Sequence, residues 1–190
     1  MFLIGYSRAM TAILDEVTGD VIEVIETKGL PNKGATKEFT INGLSAEGVK
    51  VYGSNSAYYI SRKGMGDLKA EFSDLDVPLT EQMKILGLKT HATGGFVVGG
   101  KETEPPYCAK IFFSENGQGM PVAFALFKGV ITRDEITGKT SEDTPVEPEA
   151  ESYSMDCVAN EDGEGYGIAV GDEQVQALID YAFPGYTATL

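Results

Sequence analysis

The chain has no tryptophan, one histidine, two cysteines, and 15 basic residues against 29 acidic ones in a length of 190. Each scarcity excludes something. A formal charge of −14 repels phosphates, which argues against stable nucleic-acid binding and against docking on an anionic membrane. With a single imidazole, any Ser/His/Asp site would have to use His91, which sits in the Thr- and Gly-rich stretch KTHATGG. No G-x-S-x-G elbow accompanies it, and neither cysteine has a nucleophile signature. Cys108 and Cys157 can form one bridge at most, so no disulfide framework is implied and a reducing compartment is the default. No apolar run approaches the roughly 20 residues of a membrane span. The opening MFLIGYSRAMTAILDE lacks a basic n-region, and its apolar run ends at Gly5 and Arg8, so the expectation is a soluble protein without a signal peptide. There is no internal repeat and no composition break, and residues 1–190 are expected to form one domain.

What is present is β pattern. Nine Phe and nine Tyr promise a core. VIEVIET (Val21–Thr27), KEFTI (Lys37–Ile41), GVKVY (Gly48–Tyr52) and AYYIS (Ala57–Ser61) are short runs bounded by Gly, Asn, Ser or Pro. DLKAEF alternates, with Leu68, Ala70 and Phe72 on one face and Asp67, Lys69 and Glu71 on the other, the mark of a half-buried strand. YCAKIFF and VAFALFKGVI flank an Asn116-Gly117 hairpin signal, and ESYSMDCV and YGIAV follow. Two segments carry helical spacing. VPLTEQMKILG places Leu79, Met83 and Leu86 on a packing stripe between Pro78 and Gly87. GDEQVQALIDYAF aligns Val175, Leu178, Ile179 and Ala182, with Asp172 placed to cap and Pro184 to stop a helix over 172–183. The fold class is mainly β, an antiparallel sandwich or barrel with one or two short helices.

The stretch RKGMGDLKAEFSDLDVP contains a G-x-G beside a lysine, but Gly64-Met65-Gly66 leads into a strand rather than a helix and no third glycine or Lys-Thr follows. It is a turn, not a phosphate cradle. Asp74 and Asp76 lack the glycine and terminal glutamate of a calcium loop and read as a strand end. Glu147, Glu149 and Glu151 alternate along an acidic loop that Pro145 and Pro148 keep out of a central strand. No metal site, cofactor site or catalytic group is assigned.

VYGSNSAYYISRKGMGDLKAEFSDLDVP, then a short helix, EPPYCAKIFFSENG, FALFKGVI and TSEDTPVEPEAESYSMDCVANEDG occur in an order that resembles the major tail protein family of long-tailed phages and prophages of Gram-positive hosts, the tail tube subunit. The resemblance runs from about Gly43 to Gly163. Its most specific pieces are Tyr58-Tyr59, Pro105-Pro106-Tyr107, Phe127-Lys128-Gly129 and Glu161-Asp162-Gly163; GLPNKGATKE and GDEQVQALIDYAF depart from the pattern. The resemblance implies a β-sandwich or half-barrel flanked by a helix. It also implies hexameric rings stacked into a tube, with DNA passing through without stable binding. Its partners would be further copies together with tape-measure, tail terminator and baseplate or initiator proteins, in a virion tail assembled in the host cytoplasm. It implies no enzyme activity and no cofactor.

On that basis Asp67 and Glu71 are expected to face the channel, their charge partly offset by Lys69. Lys28, Lys33 and Lys37, in the basic Gly/Pro-rich hairpin or loop Lys28–Glu38, are expected to reach the next ring and meet acidic loops such as Ser141–Glu151. The reading from another class is a phage or cell-surface β-sandwich adhesin or decoration module. A third is a small carboxylate-based hydrolase.

Overall fold

The computed structural model describes residues 2–60, 64–140 and 148–186. In chain order its elements are β1 (Leu3–Leu14), β2 (Val21–Thr27), β3 (Ala35–Asn42), β4 (Lys50–Gly53), β5 (Ser56–Ile60), β6 (Lys69–Leu75) and α1 (Leu79–Ile85). The pair β7 (Lys89–Thr90) and β8 (Val97–Val98) follows, then β9 (Tyr107–Asn116), β10 (Pro121–Thr132), β11 (Glu151–Cys157), β12 (Tyr166–Val170) and α2 (Asp172–Ala182). The architecture is mainly antiparallel β with two short helices, as the alternation predicted.

The large sheet runs β2-β1-β9-β10-β11-β6-β3, and β12 pairs with the first half of β10. β2 and β3 lie at opposite ends of this order, yet only residues 28–34 join them. Seven residues span at most about 25 Å, so the sheet has to curl until its ends approach. They do: Thr36 at the start of β3 donates its hydroxyl to the Tyr6 carbonyl of β1 at 2.6 Å, and the Tyr6 and Phe39 rings meet edge to face at 4.9 Å. The bend is absorbed where pairing slips, between Ile4 and Arg8 in β1 and between Leu126 and Gly129 in β10. The result is a half-barrel, and the segment that reads as a basic hairpin is a loop between two strands that do not pair with each other.

Two apolar cores sit on the two faces of the β1-β9-β10 wall. On one, Met10, Ala12, Leu14, Ala109, Ile111, Ala123 and Ala125 meet Val175, Ile179, Ala182 and Phe183 of α2 and its end. The run of alanines leaves a shallow face on which a helix can lie close. On the other, inside the curl, Ile13, Phe112, Leu126 and Ile131 meet Leu68, Ala70, Phe72, Tyr153 and Met155 of the opposite wall. Phe39 stacks on Phe112 at 4.6 Å and Phe72 on Tyr153 at 5.4 Å.

β1 has no counterpart among the strands predicted from sequence. From Ala9 to Leu14 every residue is buried, because both faces are covered, so the polar/apolar alternation that identifies a strand is missing. The α2 N-cap is Gly171, and Asp172 is instead the first helical residue; with Glu173 it places negative charge in the first turn, where the helix dipole favours it.

The packing stripe predicted for α1 is corrected in part: Leu86 packs against the inner core, but Leu79 does not. Leu79 is 54% exposed, Met83 and Leu86 are half-buried, and Gln82 and Ile85 occupy the buried positions. A polar contact sets this rotation. Gln82 donates to the Val77 carbonyl at 2.8 Å and to Glu151 at 2.9 Å, and accepts from Arg133 at 2.9 Å, which turns that side of the helix toward the sheet. Gly87 then ends the helix at φ 65°, with Leu88 N–H returning to the Met83 carbonyl at 2.9 Å.

Candidate assembly surface

The alternation of β6 divides its side chains as predicted. Leu68, Ala70 and Phe72 are buried, whereas Glu71 is exposed and Lys69 half-exposed. Cross-strand pairing then extends this polar side into a face. Glu71 lies between Thr40 of β3 and Ser154 of β11, and Lys69 between Asn42 and Asp156. Ser73 lies between Glu38 and Ser152, and its hydroxyl donates to Glu38 Oε1 at 3.3 Å. Asp134 and Glu135, just past β10, border the same surface. Lys69 is the cation at its centre, and Lys37 and Lys139 lie on the adjoining surface that shares Glu38, Ser73, Glu135 and Ser152, with Lys139 paired to Glu149. The Lys69 ammonium pairs with Asp156 Oδ1 at 3.1 Å, and that bond, reinforced by the Asp156 charge, holds its pKa above the ordinary lysine value. A phosphate approaching the centre of this face meets carboxylates and a lysine that is already engaged.

Asp67 is exposed but lies just outside β6. Its carbonyl is tucked under Gly43, where φ is 75° and an added Cβ would come within 1.9 Å of it, so β6 enters the sheet through a contact that glycine alone permits. The structure therefore joins Glu71 to Glu38 and Asp156, two carboxylates that reading β6 alone did not find. The signal for them was the alternation of β3 and β11 together with the register, and only the first is visible in sequence.

Lys28, Lys33 and Lys37 are all exposed. Lys28 pairs with Glu26 at 2.6 Å, and Lys37 belongs to β3. The loop is pinned to its own subunit: Asn32 N–H donates to Asp76 at 3.3 Å, and Gly29 N–H donates to the Gly34 carbonyl at 2.9 Å. Of the acidic partner stretch Ser141–Glu151, residues 141–147 lie outside the described residues.

Cys108 is buried and Cys157 half-buried. Burial pushes the Cys108 and Cys157 thiols up to about 12. His91 lies in an exposed turn, stacked on Phe96 at 4.7 Å. No group of His, Cys, Asp and Glu among the described residues is placed to hold a metal ion. Nor, among them, is any helix long and apolar enough to cross a membrane.

Sequence reasoning passed over Lys110. It points into the half-barrel, donates to Thr11 Oγ1 at 2.9 Å and lies 3.9 Å from the Phe72 ring centroid. Burial lowers its pKa, and the charge of buried Asp74 works against that shift. Asp74 is in turn raised by burial, with Lys110 opposing.

Backbone edges complete the surface. β2, β3 and β12 each have one described neighbour in the ladder and no ladder partner on the other side, where the start of β3 faces Tyr6 of β1.

The family model described as phage tail tube protein matches residues 1–188. No curated protein matches the chain.

Proposed function

The chain belongs to the phage tail tube protein family, structural components of the virion tail, and we propose that its copies close into hexameric rings that stack head to tail around a channel for DNA. The observation that carries this reading is the acidic face of β3, β6 and β11, with its central lysine engaged by Asp156. A conduit has to let a polyanion slide without retention, and a free lysine or arginine at the wall would hold a phosphate and release a counterion in every ring. On this reading Glu71, Glu38 and Asp156 line the channel, with Asp67 at its rim. The open edges of β2, β3 and β12 suit the same arrangement, since pairing around a ring removes edges that would otherwise invite aggregation.

Lys28, Lys33 and Lys37 then face the neighbouring ring, where a basic loop on one copy meets acidic loops on another. Tape-measure, tail terminator and baseplate or initiator proteins bound the tube, and assembly takes place in the host cytoplasm. Negative-stain electron microscopy of the purified chain tests the reading. Six-membered rings or tubes are the expected result; a particle that stays monomeric or trimeric at high concentration, with no tube in the virion, would overturn it.

A further inference from the structure

The β4–β5 hairpin, like the shorter β7–β8 pair, has strands that belong to neither core. It is a two-stranded ladder, pairing Lys50 with Ile60 and Val51 with Tyr59, and it has no bond to the large sheet. All of its large apolar side chains are exposed, among them Tyr52 at 69% and Tyr58 at 86%. A lone two-stranded hairpin is marginal in water, and large apolar side chains exposed on both of its faces suit a contact surface.

The same chain carries a hole. Leu3, Phe39, Ile41, Leu44, Tyr166 and Ile168 border an apolar groove of about 180 Å³ where the open edges of β3 and β12 approach each other. An apolar cavity of about 150 Å³ accommodates a benzene ring, so the groove has the capacity for one aromatic side chain. The hairpin does not fill it. It leaves the subunit at Gly43 and returns at Gly66, whose N–H donates to the Gly43 carbonyl at 3.0 Å, and it projects with both faces in solvent.

From this geometry we infer that the β4–β5 hairpin of one copy docks in the β3/β12 groove of the next, with Tyr58 as its anchor. The inference rests on the tube reading for the identity of the occupant, a second copy of this chain. Knob and hole are on different parts of one surface, so the contact is heterologous and propagates from copy to copy, closing a ring or extending a filament as the rotation dictates. Charge favours the same occupant. From Gly48 to Gly66 the sequence has Lys50, Arg62 and Lys63 and no carboxylate, so the remainder of the chain holds all 29 acidic residues. Glu164 lies beside Tyr166 near the groove. A segment without carboxylates therefore meets the part of the chain that carries all of them, while the groove itself is apolar.

Mixing two single-substitution chains, Tyr58→Cys and Ile168→Cys, before assembly and then oxidising mildly is the direct test. A covalent dimer is expected in the mixture and in neither chain alone. Tyr58→Asp should raise the protein concentration needed for assembly about a hundredfold, through a carboxylate trapped in an apolar groove, while Tyr58→Phe assembles as the wild type does. Tubes from the mixture without cross-links above the single-chain controls, or Tyr58→Asp assembling normally, would overturn the inference and leave the tube reading intact. A wild-type chain that forms no ring or tube would overturn both.

Discussion

The β1-β9-β10 wall and the β3-β6-β11 wall belong to one curled sheet and face each other across one core, yet they differ in what lies behind them. Behind the first is α2, so Met10, Ala12, Ile111 and Ala125 are as dry as Ile13 and Phe112 on the inner side. Behind the second is solvent, and Glu38, Glu71 and Asp156 stand where the first wall has alanines. The covered wall is therefore constrained at nearly every position, whereas the bare wall is constrained at alternate ones from Leu68 to Phe72. Its outward positions are free to carry charge without a folding cost, which is what a surface with an electrostatic task requires.

Polar substitution should therefore be ruinous on the covered wall and nearly silent on the bare one. The largest effect is expected at the α2 interface. Ile179→Asp would place an unpaired carboxylate at a position with 0% exposure, and the chain should fail to accumulate as folded protein. The same comparison applies within α1, where Ile85→Asp should abolish folding and Leu79→Asp, at an exposed position, should shift stability by less than about 0.5 kcal/mol. Soluble yield and urea unfolding measure both, and a normally folded Ile85→Asp protein would show that α1 is peripheral.

Lys110 and Asp74 are the place where charge crosses into the covered region. Lys110→Met leaves Asp74 buried without its counter-charge and should cost about 3 kcal/mol, while the Lys110→Met/Asp74→Asn double variant should recover most of that loss. The pH dependence has a definite sign. Burial raises the Asp74 pKa in the folded chain, so folded protein holds this proton more tightly than unfolded protein does. The stabilisation is full below the unfolded value near 3.8 and is lost as pH rises through the raised folded value. Asp74→Asn should remove that fall from the stability–pH curve, and an unchanged curve would mean that Asp74 does not titrate in this way.

The loop that joins the two ends of the sheet should tolerate more. Changing Lys28, Lys33 and Lys37 together to Glu breaks one exposed ion pair, with Glu26, at a cost of about 1 kcal/mol or less. Tubes of the variant should be fewer and shorter, because ring-to-ring attraction becomes repulsion. Unchanged tube length by electron microscopy would remove these lysines from the inter-ring contact. Deleting the segment would be a poorer test, since Ala35 and Thr36 pair with Leu75 and Asp74 in the sheet.

The same contrast explains what could be read in advance. β6 was legible down to the residue because Leu68, Ala70 and Phe72 alternate with Asp67, Lys69 and Glu71, and β9 and β10 because Asn116 marks the turn between them; its side chain accepts from Gln118 and Met120 N–H. β1 was hidden because a strand buried on both faces has no polar positions to give it a period. The α1 stripe was misplaced because periodicity counts Gln82 as polar, whereas bonds from residues 51 and 69 positions away make it the residue that fastens the helix. The acidic face was half legible: Glu71 belongs to a local pattern, but Glu38 and Asp156 join it only through register across three strands, and register is a tertiary property.

The smallest structural effect, and the one closest to function, is expected on the bare wall. Asp67 and Glu71 are exposed, and the residues between and beyond them, Leu68, Ala70 and Phe72, hold the strand in place. Changing both carboxylates to lysine should alter stability by less than about 0.5 kcal/mol and leave rings and tubes intact. On the channel reading, the charge of that surface would change far more. Each subunit would gain four units of positive charge beside Lys69, whose engagement by Asp156 neutralises only itself. Every ring would then offer the passing polyanion sites at which a phosphate displaces a counterion, and ejection of DNA from assembled particles should slow or stall. The effect should be strongest in low salt, where screening is weakest, and should fade as the ionic strength rises. Ejection at the wild-type rate in low salt would remove these residues from the channel wall. So would a structure of the assembled tube with β6 on its outer surface.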